Sequence, residues 1–93
     1  MAQALSDDQI ESALTALSDW RLLDGKVVRD YKFADFSEAF AFLTRVALVA
    51  EQRGHHPDIH NSWSAVRLEL SSHDAGGITQ RDIDLAAAID ALG

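Results

Sequence analysis

The spacing of apolar residues first predicts a short amphipathic helix near the N-terminus. Ile10, Leu14 and Leu17 recur at helical intervals, which is the pattern of one buried helix face. Ser6 directly precedes two aspartates and is a favourable N-cap. We therefore expect a first helix over about residues 7–17.

A longer apolar pattern predicts a second helix over about residues 38–52, with Ser37 as its N-cap and Gly54 as its C-cap. Its apolar side comprises Ala39, Phe40, Leu43, Val46, Ala47 and Ala50, and Phe42 and Val49 widen that side. A helix that is apolar over so much of its circumference is usually covered on two sides. The second cover is either the core of the same chain or another subunit.

Alternation of apolar and polar residues predicts two pairs of strands. Residues 20–23 and 26–33 are separated by Asp24-Gly25, a dipeptide that tolerates the positive φ of a tight hairpin turn. Residues 64–71 alternate cleanly between apolar and polar side chains, as in a half-buried strand. Residues 59–63 are the expected hairpin partner of that strand.

A third helix is expected after Thr79, with Asp82 three residues later as the acid of a capping box. Strand pairs interleaved with helices indicate one α+β domain over residues 1–93. We predict a two-layer architecture, in which a four-stranded antiparallel sheet is covered on one face by three helices. The other face of the sheet must then be either polar or an interface.

Composition adds limits on function. The chain has 93 residues and no cysteine, which excludes disulfides and thiolate ligands. It has 15 acidic against 8 basic residues, a net charge of -7, and an acidic surface argues against direct binding of nucleic acid. Neither a basic leader nor an apolar run of about 20 residues is present, so we expect no membrane span and a cytoplasmic location.

Four histidines are the main candidates for chemistry: His55, His56, His60 and His73. Three interpretations are open for them, namely ordinary surface residues, a metal site, or acid–base catalysis. His60 fits the first best, since its surroundings are polar. Adjacent loop histidines without a helical partner or a thiol are poorly spaced for a metal ion. Histidine exchanges protons near neutrality, and a loop flanked by Gly54 and Pro57 would hold two imidazoles in fixed directions.

His55, His56 and His73 are part of a longer pattern of seven residues. The positions are Glu51, His55, His56, Pro57, Trp63, His73 and Asp82. This pattern resembles the pterin-4a-carbinolamine dehydratase family, and the likeness extends back through Trp20 to the first helix. Many relatives carry other residues where this chain has Gly54, Ile59 and Trp63, which bears on substrate preference rather than on the reaction.

The resemblance implies dehydration of a 4a-hydroxy-tetrahydropterin to the quinonoid dihydropterin, which recycles a tetrahydrobiopterin-type cofactor. It implies catalysis by His55, His56 and His73, with no metal and no other cofactor. The residues that it places at the pterin are Gly54, His55, His56, Ser71, Ser72, His73 and Asp74. The residues that it places near that site are Trp20, Glu51, Arg81 and Asp82.

Loss of water from a carbinolamine needs an acid near the oxygen and a base near a ring nitrogen. We expect His55 and His73 to be that pair, with His56 sharing proton transfer or binding the pterin. Glu51 either holds a histidine proton or forms a salt bridge with Arg81.

Other residues of the pattern have a structural alternative. Asp82 is equally well explained as the capping acid of the last helix. Trp20 and Trp63 are of a type found more often in cores than in ligand sites.

A different class of function is a protein-interaction module without catalysis, which the same family resemblance includes. The wide apolar side of the second helix favours a homodimer or homotetramer in either case.

Overall fold

The computed structural model describes residues 3–92, which form three α-helices, four β-strands and one 3-10 turn. In chain order these are α1 (Asp7–Leu14), β1 (Arg21–Leu23), β2 (Lys26–Lys32), α2 (Phe36–Arg53), β3 (Asp58–Ser62), β4 (Ala65–Leu70), the 3-10 turn (His73–Ala75) and α3 (Gln80–Asp90). The sheet is antiparallel throughout, with the strand order β1-β2-β4-β3. The predicted α+β class and the predicted four-stranded antiparallel sheet are confirmed.

The helices pack on one face of this sheet. Along β4, Val66, Leu68 and Leu70 are at most 3% exposed, because they share a buried cluster with apolar residues of all three helices. Arg67 and Glu69 alternate with them and point to the other face. The alternation in the sequence therefore places the core between the sheet and the helices.

The outer face of the sheet is polar. Arg21 and Arg67 both donate hydrogen bonds to the carboxylate of Asp30, and these two guanidiniums hold the pKa of Asp30 below its usual range. Lys26 likewise donates to Glu69 across the sheet. Of the two possibilities for this face, the side chains show the polar one.

Turn chemistry was predicted well at the first hairpin. Asp24 and Gly25 have φ values of 51° and 76°, and Leu23 pairs with Lys26 on either side of them. The left-handed conformation at both central positions matches the right-handed twist of the two strands.

Two helix ends differ from the sequence prediction. The N-cap of α2 is Asp35 and not Ser37, because the Asp35 carboxylate accepts a hydrogen bond from the backbone N–H of Glu38. The helix α1 ends at Leu14 rather than at Leu17. After Leu14 the backbone forms a tighter turn, in which the Leu17 N–H donates to the Leu14 carbonyl three residues before it. Leu17 is still buried.

The buried side of α2 is narrower than predicted. Ala39, Leu43, Val46 and Ala50 are buried as expected, whereas Phe40 and Ala47 are exposed. Phe42, which was predicted to widen the apolar side, is buried, since its ring packs against the rings of Tyr31 and Phe33 from β2 and the segment after it.

The two tryptophans have opposite environments. Trp20 is 3% exposed, as a core residue should be, but Trp63 is 81% exposed, so the core interpretation was wrong for it. Ser62 pairs with Ala65, which makes Trp63 part of a two-residue turn, and its φ of 58° is left-handed. A side chain at the tip of such a turn has no sheet face to pack against.

Within residues 3–92, no helix combines the length and the apolar character that crossing a bilayer requires.

Candidate active site

The end of α2 delivers two histidines to the surface. Gly54 adopts φ 64°, and the N–H of His55 donates back to the Ala50 carbonyl, so the chain turns sharply out of the helix. Glycine suits this position because a left-handed backbone is strained for residues with a Cβ. His55 and His56 are therefore adjacent residues that directly follow the C-cap of α2.

His55 is joined to the first turn of α3. Its Nε2 lies 2.5 Å from Oδ1 of Asp82, a carboxylate with no exposed surface. Asp82 also completes the capping box of α3, since its Oδ2 accepts a hydrogen bond of 2.9 Å from the backbone N–H of Thr79. The predicted capping role of Asp82 is confirmed, and the same carboxylate contacts a candidate catalytic histidine.

The Asp82 contact selects one tautomer of neutral His55. A carboxylate only accepts hydrogen bonds, so Nε2 carries the proton and donates it to Asp82. Nδ1 of His55 is then the nitrogen with a free lone pair. Because the His55 side chain retains 14% exposure, this ring is held from behind while part of it remains open to solvent.

His56 has a looser partner. Its Nε2 lies 2.9 Å from Oε1 of Glu51, and the two side chains are 62% and 81% exposed. Of the two roles predicted for Glu51, the structure shows the contact with a histidine. Arg81 pairs instead with Asp74, at 2.6 Å, and this guanidinium holds the pKa of the Asp74 carboxyl below its usual range.

His73 opens the 3-10 turn after β4 and is exposed. A cavity of about 300 Å³ adjoins it, lined by Asp24, Gly25, Lys26, Ser71, Ser72, His73, Gly76 and Gly77. This volume is at the lower limit for small-molecule sites. Neither His55 nor His56 is among the lining residues, so the three imidazoles do not share this cavity.

Ser72 connects the two histidine segments. Its hydroxyl donates a hydrogen bond of 2.8 Å to Oδ2 of Asp82, whose other oxygen binds His55. The structure thus brings the side chains of Ser72 and His55 to the same carboxylate. The resemblance places Ser72 at the pterin, but no local pattern in the sequence indicates its contact with Asp82.

Trp20, which the resemblance places near the site, lies toward the other end of α3. Trp20 donates from Nε1 to Asp90, which is eight residues beyond Asp82 on α3 and so about 12 Å along the helix axis. His60 lies 3.4 Å from Glu69 on the outer face of the sheet, as expected for a surface histidine. In the part of the chain that the structure describes, no three His, Asp or Glu side chains are grouped to hold a metal ion.

Two similar proteins from bacteria match this chain over nearly its whole length. A protein from Rhodopseudomonas palustris (strain HaA2), provisionally named pterin-4-alpha-carbinolamine dehydratase, is 47% identical over 94 residues, covering 99% of this chain and 93% of its own. A protein of the same provisional name from Solibacter usitatus is 49% identical, covering 99% of this chain and 97% of its own.

Two solved structures share the fold. The crystal structure of a transcriptional coactivator/pterin dehydratase from Brucella melitensis superposes with a TM-score of 0.91 at 37% identity, over 97% of this chain and 98% of that one. A pterin dehydratase-like protein identified as a RuBisCO assembly factor in the alpha-carboxysome gives a TM-score of 0.66 at 26% identity, over 80% of this chain and 88% of that one.

The family described as Pterin 4 alpha carbinolamine dehydratase matches residues 3–92, which is the whole described chain. The relatives match over nearly their full length, and their fold is the one derived above. The chain therefore belongs to the pterin-4a-carbinolamine dehydratase family.

Proposed function

We propose that this chain dehydrates a 4a-hydroxy-tetrahydropterin to the quinonoid dihydropterin. The observation that carries the proposal is the hydrogen bond of 2.5 Å between His55 and the fully buried Asp82. A buried carboxylate that fixes one tautomer of a partly exposed imidazole is the usual arrangement around an acid–base histidine. Membership of the dehydratase family supplies the substrate class.

The reaction requires two proton transfers and no change in redox state. An acid protonates the 4a-oxygen, the C–O bond breaks, and the lone pair of the adjacent ring nitrogen forms a C=N bond. Loss of a ring N–H proton to a base then completes the elimination, and the products are the quinonoid dihydropterin and water. One positioned acid or base contributes roughly 10²–10⁴ in rate, so two such groups account for substantial acceleration.

The proposed roles combine the family resemblance with the contact between His55 and Asp82. His55, through Nδ1, and His73 form the principal acid–base pair, and His56 shares proton transfer or binds the pterin. Backbone groups of Gly54 and of the segment 71–74 bind the donor and acceptor edge of the ring.

Single substitutions of histidine test this proposal, with a built-in control. His55→Ala and His73→Ala should each lower kcat/KM for a 4a-hydroxy-tetrahydropterin by roughly 10² or more. His60→Ala should stay within about twofold, since His60 also faces a carboxylate, Glu69, but lies on the outer face of the sheet. Circular dichroism establishes that each variant is folded.

Equal activity of the His55 and His73 variants and the wild type would remove both residues from the mechanism. Zinc that remains bound through purification, with loss of activity on chelation, would favour the metal-site interpretation instead.

Self-association is a second proposal, since apolar side chains remain exposed along α2 and β3. Phe40 and Leu48 are 55% and 68% exposed on α2, and Ile59 is 43% exposed on β3. We propose a homodimer or homotetramer that covers them. Light scattering should give a multiple of the 10.2 kDa chain mass, and Leu48→Glu should lower that mass. A monomeric wild type at the assay concentration would contradict this.

A further inference from the structure

Two hydroxyl groups behind the His55–Asp82 pair are completely enclosed. Ser72 is 1% exposed, and Thr79 and Asp82 are 0% exposed. The Ser72 hydroxyl oxygen lies 2.8 Å from the Thr79 hydroxyl oxygen and 2.8 Å from Oδ2 of Asp82. Buried hydroxyls at these distances must be hydrogen-bonded to one another, because water does not reach them.

Counting protons fixes the direction of this chain of hydrogen bonds. The carboxylate of Asp82 has no proton to give, so the single proton of the Ser72 hydroxyl must point to Oδ2. The remaining bond can then form only if Thr79 donates its hydroxyl proton to Ser72. The Thr79 oxygen in turn accepts from the backbone N–H of Arg81, at 3.2 Å, which leaves its own proton free to be donated.

Every donor in the chain therefore points toward Asp82. Ser72 and the Thr79 N–H both occupy Oδ2, which leaves Oδ1 to face His55. A carboxylate held on one oxygen by two fixed donors cannot turn its other oxygen away from the imidazole, so the contact that selects the tautomer is kept.

We infer that the Thr79–Ser72 hydroxyl pair positions Asp82 and thereby fixes the Nε2–H tautomer of His55, so that Nδ1 is the nitrogen that exchanges protons at the active site. Ser72 and Thr79 are positioning residues, since they act through Asp82. The inference deepens the proposed dehydratase function and rests on it for its catalytic consequence. Its structural part, the tautomer, is independent of activity.

Helix capping alone does not explain Ser72. The capping box of α3 consists of the Thr79 and Asp82 side chains and their backbone partners, and it is complete without any residue from outside the helix. Ser72 belongs to the segment between β4 and the 3-10 turn, and its side chain adds a second donor to the same oxygen. The extra donor constrains the face of Asp82 that meets His55.

The test uses three serine and threonine variants of the whole chain. Ser72→Ala and Thr79→Val each remove one hydroxyl of the pair, and Thr79→Ser retains the hydroxyl and the cap. Ser64→Ala is a matched control, because Ser64 is also a buried serine, located in the β3–β4 turn. Nitrogen-15 NMR of the His55 ring reports the tautomer directly, without substrate.

The wild type, Thr79→Ser and Ser64→Ala should show the Nε2–H tautomer of neutral His55. Ser72→Ala should show a mixture of tautomers and a kcat about tenfold lower, with KM within twofold. Because the two hydroxyls act in series, the double variant Ser72→Ala/Thr79→Val should lose little more activity than the more damaged single variant.

A mixed tautomer in the wild type, or an unchanged tautomer in Ser72→Ala, would overturn the inference. A raised KM with unchanged kcat in Ser72→Ala would also overturn it, because that result assigns Ser72 to substrate binding. If the wild type has the fixed tautomer, and Ser72→Ala loses it, but neither shows dehydratase activity, the positioning holds and the proposed function fails.

Discussion

The two ends of α3 each place an aspartate against the rest of the fold, with different consequences. Asp82, in the first turn, has no exposed surface and binds the Ser72 hydroxyl, the Thr79 N–H and the His55 ring. Asp90, at the other end, is 30% exposed and accepts hydrogen bonds from Trp20 and Arg29.

The difference lies in the partner side chain. Arg29 binds Asp90 through a guanidinium, which only donates hydrogen bonds. His55 binds Asp82 through Nε2, and its second ring nitrogen, Nδ1, can bind another group. The helix dipole favours an acid at the first turn and opposes one at the last turn, where Arg29 compensates. An identical residue type therefore meets an imidazole at one end of α3 and a guanidinium at the other.

The largest expected effect is at Asp82. In Asp82→Asn the side-chain amide is a donor as well as an acceptor, so it no longer enforces a proton on Nε2 of His55. We expect kcat/KM to fall by roughly 10² or more. In serine proteases, the change of Asp to Asn beside the catalytic histidine lowers turnover by stabilising the wrong tautomer. Stopped-flow dehydration kinetics and circular dichroism measure the loss and the fold together. Activity within threefold of the wild type would place Asp82 among purely structural residues.

The reverse pattern is expected at Asp90. Asp90→Ala leaves the Trp20 Nε1–H without its acceptor and leaves the Arg29 guanidinium only its contact of 3.4 Å with Asp19, which should lower the free energy of unfolding by about 1–3 kcal/mol. Turnover should remain within about twofold at temperatures where the variant is folded. Urea denaturation gives the first quantity and the dehydration assay the second. A strong loss of turnover without loss of stability would contradict the structural role of Asp90.

A smaller effect is expected at Tyr31, whose ring lies under Arg29 at 4.4 Å. Burial raises the pKa of Tyr31 to about 12, and its hydroxyl has no hydrogen-bond partner among the described residues. Tyrosine in an unfolded chain has a pKa of about 10, so the unfolded state loses this proton first as the pH rises. Folding stability should therefore fall between about pH 10 and pH 12.

Tyr31→Phe removes this alkaline loss and leaves the stability at pH 7 unchanged or slightly higher. Urea midpoints at pH 7 and pH 10.5 measure both effects, with dehydration at pH 7 as the control for function. A pH dependence identical to that of the wild type would show that Tyr31 does not titrate in this way.

Local signals in the sequence predicted most of the fold. The Asp24-Gly25 turn, the alternation along β4 and the capping box at Thr79 are each set by neighbouring residues, and each is confirmed. The predicted N-cap of α2 was wrong, because two nearby residues are of types that cap helices equally well. Asp35 and Ser37 are both acceptable caps, and the choice between them depends on where the chain leaves β2.

The candidate site was predictable in its parts and not in its connections. His55 and His56 follow from the glycine that ends α2, and Asp82 from its capping position. The contact between His55 and Asp82 joins residues 27 apart in sequence, and no local pattern indicates it. The role of Ser72 was missed for the same reason, since a buried hydroxyl is identified by what surrounds it in three dimensions. Trp63 was misplaced because its residue type suggests burial while its turn position exposes it.

Titration of the nitrogen-15-labelled protein with a 7,8-dihydropterin decides whether the Asp82 end of α3 carries the active site. The amide signals of Gly54 to His56 and of Ser71 to Asp74, together with the ring signals of His55, should shift with saturation, while those around Asp90 and Trp20 remain in place. Saturable shifts confined to other parts of the chain, or no binding at millimolar ligand, would contradict the assignment of a pterin site to this end of the helix.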